Sequence, residues 1–178
     1  AVGGGGTTAA LLPCTQAGTV PVPLDQHPPE DILPMLTGQL LGPFYVCRFV
    51  APVMKAQKSG SIVIISSDAG KLATPGEAVM GGCMAALMMF GRTLAMEFRR
   101  SGVRANVLTP ALISDTPSHP AVMASDFGAK IFAAASKMAA LGICTPDDMA
   151  DSVLFLSGPA SGRLTGQAIS VNGGMTAA

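Results

Sequence analysis

The sequence has 178 residues, 49% of them hydrophobic, and its acidic and basic side chains balance to a net charge of zero. This length and composition predict one domain, 1–178, with a sizeable core. Because the chain has no excess of positive charge, neither nucleic acid nor an anionic membrane surface is expected as a partner. The uncharged stretches 32–47 and 78–91 are shorter than the roughly 20 residues that span a bilayer.

The cysteines and histidines give no sign of metal or redox chemistry. The four cysteines are widely spaced and form no Cys-x-x-Cys pair, which favours a reduced cytoplasmic protein with free thiols. His27 and His119 each stand beside a proline, and no two candidate ligands share a helix face or a turn. We therefore expect no metal site.

The first half of the chain predicts two helices and two strands. A Gly/Pro-rich leading segment, 1–29, comes before a predicted helix over about 30–57. The run 60–67, Gly-Ser-Ile-Val-Ile-Ile-Ser-Ser, is apolar on both faces, which is typical of a strand buried in a parallel sheet. A long helix is predicted within 76–102, and the next strand over 103–109.

The second half predicts a loop and small helical region, 110–142, then a helix and a last strand. Thr145-Pro-Asp-Asp148 is a good helix start, because it offers a capping Thr, a Pro at the first position and acids in the first turn. That helix is expected to end near Ser157, and the last strand near Asn172.

Five of these features, in order and spacing, resemble the later half of a short-chain dehydrogenase/reductase. They are the strand 60–67, the long helix, the strand 103–109, a turn after that strand, and the closing strand within 164–174. The resemblance implies an α/β fold with a Rossmann-like doubly wound parallel sheet, apparently truncated on its N-terminal side. It also implies that 110–142 is a mobile substrate lid. The turn Pro110-Ala111-Leu-Ile113 stands where the family has a Pro-Gly turn beside the nicotinamide, so Pro110, Ala111 and Ile113 are vestigial cofactor contacts.

The resemblance also identifies the positions of the family's catalytic tetrad. Ser67 matches the catalytic Ser, and the positions of the Tyr and the Lys, thirteen and seventeen residues later, hold Met80 and Met84. Gln39 falls near the place of the Asn. The family's Tyr exchanges the carbonyl proton, and its Lys lowers the pKa of that Tyr. A thioether has no proton to give and no charge, so the standard mechanism is absent on residue chemistry alone.

Other side chains around these positions have structural interpretations. Met80, Met84 and Met88 form a stripe at spacing four, which we expect to fill core volume or a subunit contact. Asp68, next to Ser67, is expected to be a solvated loop acid.

The front of the chain departs from the family, whose members open with a strand, a Gly-rich phosphate turn and two strand–helix units. The Gly run in 1–8 is either a remnant of that phosphate turn or, as we favour, 1–6 takes the place of the family's later Asn-Asn-Ala-Gly strand end. Under both interpretations, no acidic residue follows about 20 residues later at a strand end to hold an adenosine ribose. Asp25 is in a Pro-rich stretch and is interpreted as a loop acid. We expect no NAD(P) binding by the isolated chain.

Three functions stay open. The chain is a degenerate family member that acts as a partner or stabilising subunit, in a homo-oligomer or with a full-length relative. Alternatively, it is an NAD(P)-dependent oxidoreductase on a carbonyl or alcohol whose missing parts come from another chain or an incomplete gene model. The third is a cofactor-independent lyase of halohydrin-dehalogenase type, against which the loss of a Tyr at Met80 counts.

Overall fold

The computed structural model describes residues 9–12, 20–117 and 119–177, with backbone alone for 9–12 and His119. Its sheet has four parallel strands in the spatial order β1-β2-β3-β4. The strands are β1, Ala9–Leu12; β2, Gly60–Ile65; β3, Val103–Pro110; and β4, Ala168–Val171. The predicted strands 60–67 and 103–109 are therefore present as the two central strands, and the predicted α/β fold is confirmed.

Within the described residues, five α-helices connect and cover these strands. They are α1, Pro29–Gln57; α2, Ala78–Phe98; α3, His119–Met123; α4, Asp126–Met138; and α5, Pro146–Ser157. The helices α3 and α4 form the small helical region predicted within 110–142. The start of α5 is the capping box that the sequence predicts, with the Thr145 side chain accepting from the Asp148 N–H and the Asp148 carboxylate accepting from the Thr145 N–H.

The sheet is covered on both faces, which is why its strands are apolar on both faces. Ile62 and Ile64 of β2 are fully buried in one core with Met54 of α1 and Leu87 of α2. Val63 points to the opposite face, into a second core with residues of α5 and β3. These layers make a doubly wound α/β arrangement.

The two long helices differ in composition: α1 contains three internal prolines, and α2 is strongly apolar. α1 runs for 29 residues although Pro34, Pro43 and Pro52 lie inside it, each of which removes one helical hydrogen bond. α2 with its following turn, Ala78–Ser101, is apolar and long enough to cross a membrane by length and composition. In this structure its apolar face lies in the core against the sheet, as expected for the core helix of a doubly wound fold.

The front strand corrects one sequence interpretation. The strand beside β2 is Ala9–Leu12, with Ala10 in register with Ile62. The place in the sheet that 1–6 was expected to fill is thus taken by a later segment, because the apolar run 9–12 pairs with β2 while the glycines precede it. Residues 1–8 themselves lie outside the described part of the chain.

Candidate functional site

The candidate site lies where β2 and β3 end, at the carboxyl edge of the sheet. Open α/β sheets bind ligands at this edge. Ser67 follows β2 and caps the one-turn helix Asp68–Gly70, its hydroxyl accepting a hydrogen bond from the Ala69 N–H at 3.2 Å. Pro110 ends β3, which is the next strand in the chain and the neighbour of β2 in the sheet.

Helix α2 is held tightly against the turn that follows Ser67. A Cβ on Gly81 would lie 2.7 Å from the Ala69 carbonyl oxygen, and a Cβ on Gly70 would lie 2.6 Å from the Ala85 nitrogen. The buried Ser66 hydroxyl donates to the Met84 carbonyl oxygen at 2.9 Å. The turn and the helix therefore meet along the stretch of α2 that carries positions 80 and 84.

The two methionines at these positions belong to the core. Met84 is 3% exposed, and Met80 is half-buried against the same cluster. Met88, one further turn along, is buried as well, which agrees with the expectation that the stripe fills core volume. Neither thioether supplies a proton or a charge, so the acid–base pair of the family's chemistry has no counterpart at these positions.

Gln39 is buried on α1, at 1% exposure. One turn before it, Met35 lines a cavity of about 50 Å³ together with His27, Glu77 and Met80. That volume is far below the roughly 300–1,000 Å³ of small-molecule pockets. This cavity beside Met80 is thus smaller than a small-molecule site.

Glu77 is a titratable group at this place that the sequence reasoning missed. It stands at the N-terminal boundary of α2, and its burial raises the pKa of the carboxyl, an effect that a hydrogen bond from Thr74 partly offsets. A charged residue three positions before an apolar stripe has no sequence signature of burial. The burial of Glu77 follows from the tertiary fold, which places it beside Met35 of α1 in one cavity lining.

Asp68 is the clearest correction among the neighbouring residues. It is 4% exposed rather than solvated. Its carboxylate accepts hydrogen bonds from the Ser170 hydroxyl at 3.0 Å, the Asn172 amide at 2.5 Å and the Thr176 hydroxyl at 2.9 Å. Buried carboxylates are tolerated when hydrogen bonds satisfy them in this way. The network ties the end of β2 to β4 and the tail after it.

Lys71 takes part in this network and is not at the position that the resemblance assigns to the family's catalytic Lys. Its ammonium donates to the Ser170 hydroxyl at 2.8 Å and to the Ala168 carbonyl at 3.1 Å, and it lies 3.9 Å from Asp68 Oδ1. Burial lowers the pKa of Lys71, while the Asp68 charge opposes that shift. These partners lie on β4 and at Asp68, whereas Met84 lies in the core between α2 and the sheet.

The predicted vestigial cofactor contacts sit at the end of β3. Pro110 is in register with Val171 of β4. Ala111 follows it and is half-buried. Ile113 forms an isolated parallel bridge with Cys144 and packs against the second core. Its side chain thus has a structural use, and its role as a cofactor contact stays a prediction.

No metal centre is found in the described ranges, where no group of three or more His, Cys, Asp or Glu side chains comes together. Burial raises the pKa of the Cys83 thiol, beside Met84, and that of Cys47 to about 12, so both behave as neutral core residues.

Comparison with known proteins gives a consistent result. A family model described as "Enoyl-(Acyl carrier protein) reductase" matches residues 14–176. A tropinone reductase homolog of Arabidopsis thaliana is 32% identical over 154 residues, which are 86% of this chain and 56% of the relative. The chain spans little more than half the length of the curated relatives it matches.

Solved structures agree with the fold. A gluconate 5-dehydrogenase from Burkholderia cenocepacia, solved with NADP and tartrate, matches at a TM-score of 0.82 and 27% identity, over 94% of this chain and 65% of that one. A halohydrin dehalogenase matches at a TM-score of 0.81 and 22% identity, over 97% of this chain and 70% of that one, which shows a shared fold alone.

Proposed function

Because the chain belongs to the short-chain dehydrogenase/reductase family, we propose that it is a degenerate, oxidoreductase-like member that performs no hydride transfer on its own. The observation that carries this proposal is the pair Met80 and Met84, whose side chains pack in the core and offer neither a proton nor a charge. The Ser67 hydroxyl remains, but a hydroxyl without a base binds a carbonyl and does not activate it.

Instead of hydride transfer, we propose that the chain acts as a partner or stabilising subunit, in a homo-oligomer or with a full-length relative. The support is an apolar surface on the two long helices. Four residues at spacing four on α1 are 41–72% exposed, and two on α2 are about 60% exposed. They are Leu41, Tyr45, Phe49, Val53, Met89 and Met96. A partner that covered these apolar side chains would remove them from water.

The parallel sheet gives independent support for an assembly. β1 pairs with β2 alone in the described part of the chain, so its other edge has unpaired backbone groups there. An open edge of this kind is a template for pairing with another chain unless something covers it. A partner subunit of the same fold would also cover the exposed apolar residues of α1 and α2.

The second candidate is an NAD(P)-dependent oxidoreductase on a carbonyl or alcohol substrate. It is favoured by Ser67 and Pro110 at the carboxyl edge of the sheet, where a ligand binds in this fold, and by the similarity to a dehydrogenase solved with NADP. A third candidate, a lyase of halohydrin-dehalogenase type, needs the Tyr that Met80 replaces.

Cofactor binding separates the first two candidates. We expect titration of the isolated chain with NADH and NADPH, followed by calorimetry, to give no binding at sub-millimolar nucleotide. The gluconate 5-dehydrogenase serves as the positive control under the same conditions. Micromolar affinity for either nucleotide would overturn the degenerate assignment and favour the oxidoreductase.

A further inference from the structure

A second cleft lies at the opposite edge of the sheet from Ser67. It has a volume of about 400 Å³ and opens at the amino ends of β2 and β3, where Gly60 and Val103 begin their strands. Because a strand rises about 3.3 Å per residue, this edge lies roughly 20 Å from the candidate site. The volume falls in the range of small-molecule pockets.

Three arginines line this cleft, and no acidic residue does. They are Arg99, after α2; Arg104, on β3; and Arg163, in the loop before β4. In the described residues no carboxylate lies within ion-pair distance of any of the three, since the ion pair found there joins Lys71 and Asp68. The cleft therefore has a local excess of positive charge in a chain whose net charge is zero.

The position of Arg104 makes this excess costly for the folded protein. Its guanidinium is half-buried and donates to neutral oxygens, those of the Ser161 hydroxyl at 3.0 Å and the Gly158 carbonyl at 3.2 Å. Its charge thus has hydrogen-bond partners but no counter-charge, and burial lowers its pKa. An anion in the cleft would supply the missing negative charge.

The other two guanidiniums are available to bind an anion. Arg99 and Arg163 are exposed. Arg99 donates to the Met96 sulfur at 3.0 Å, a weak acceptor, and Arg163 makes no side-chain hydrogen bond within 20–117 and 119–177. The Ser157 hydroxyl in the lining is likewise without a partner there. Guanidinium groups bind phosphate oxygens through paired, charge-assisted hydrogen bonds.

We propose that this cleft binds a small organic phosphate, held by its phosphate group between Arg99 and Arg163 and over the half-buried charge of Arg104. The organic part would lie along the strand ends and the neighbouring loop. This site is separate from the tetrad positions, and the proposal stands whether or not the chain transfers hydride.

The test uses ribose 5-phosphate as the probe, with inorganic phosphate and unphosphorylated ribose beside it at matched ionic strength. Binding is measured by calorimetry and by the shift in thermal midpoint. Ribose 5-phosphate is expected to bind and stabilise, and ribose is not. Binding of inorganic phosphate alone would still support the phosphate site and would assign it to the free ion.

Matched variants locate the binding. The exposed pair change Arg99→Gln with Arg163→Gln is expected to weaken binding at least about tenfold, since one charge-assisted hydrogen bond is worth about that much. Arg100→Gln changes another exposed arginine, one that does not line the cleft, and is expected to leave binding unchanged. No binding at millimolar probe, or equal loss in both variants, would overturn the proposal.

Discussion

Met84, at the position where the resemblance places the family's catalytic Lys, is part of the core. Met84 is 3% exposed, and the Ser66 hydroxyl fixes its carbonyl at the end of β2. Met84→Lys would put an ammonium into this apolar cluster. A buried unpaired charge costs about 3 kcal/mol or more.

We therefore expect Met80→Tyr with Met84→Lys to lower the free energy of unfolding by about 3 kcal/mol, measured by urea denaturation. Met96→Lys, at a 60% exposed position of the same helix, is the control and should change it by less than about 0.5 kcal/mol. Unchanged stability in the double variant would show that a polar cavity exists at this place.

Glu77 predicts a dependence of stability on pH. Burial raises its folded-state pKa, so below the ordinary value of about 4.3 both states are protonated and carry no penalty. As the pH rises from there towards the folded pKa, the unfolded state ionises first and stability falls. Glu77→Gln removes this loss.

The variant Glu77→Gln should therefore gain stability over the parent at pH 7 and show little difference at pH 4, in thermal unfolding at both pH values. Glu97→Gln, an exposed acid on the same helix, should show no such pH-dependent gain. A Glu77 variant less stable than the parent at pH 7 would mean that the charged form is stabilised by an interaction.

At the scale of the elements, the sequence predicts a strand or a helix start correctly where all the residues that indicate it lie within a few positions of one another. The apolar run that ends at Ser67 predicted β2, and Thr145-Pro-Asp-Asp148 predicted the start of α5. The burial of Asp68 was not predictable, because its partners Ser170 and Asn172 lie about a hundred residues away. β1 was not predicted for a related reason. Four apolar residues do not indicate a strand by themselves, and this segment forms one by pairing with β2.

The capping box at the start of α5 gives a test of the local signal. The Thr145 hydroxyl accepts from the Asp148 N–H at 3.3 Å. Thr145→Ala should cost about 1 kcal/mol of unfolding free energy, the usual value for the loss of an N-cap. Thr93→Ala, an exposed position inside α2, is the control and should cost under about 0.5 kcal/mol. Equal losses would show that the cap contributes nothing specific.

At the scale of the whole molecule, the exposed stripe on α1 should govern assembly. Phe49 is 72% exposed at the middle of that stripe. Phe49→Asp is expected to shift the protein to smaller species in light scattering at micromolar concentration, because a buried charge at an interface is costly. Leu154→Asp, at an equally exposed position on α5, is expected to leave the assembly unchanged. A monomeric parent protein would contradict the subunit role.

The chain has the architecture of an oxidoreductase family, and we propose that it lacks the proton donor of that family's chemistry. The direct measurement is single-turnover oxidation of NADPH by the chain with a panel of ketones, with the gluconate 5-dehydrogenase and its own substrate as the positive control. We expect no NADPH consumption above the protein-free rate at any pH from 6 to 9. Ketone-dependent consumption by the unmodified chain, with alcohol formed in equal amount, would contradict it.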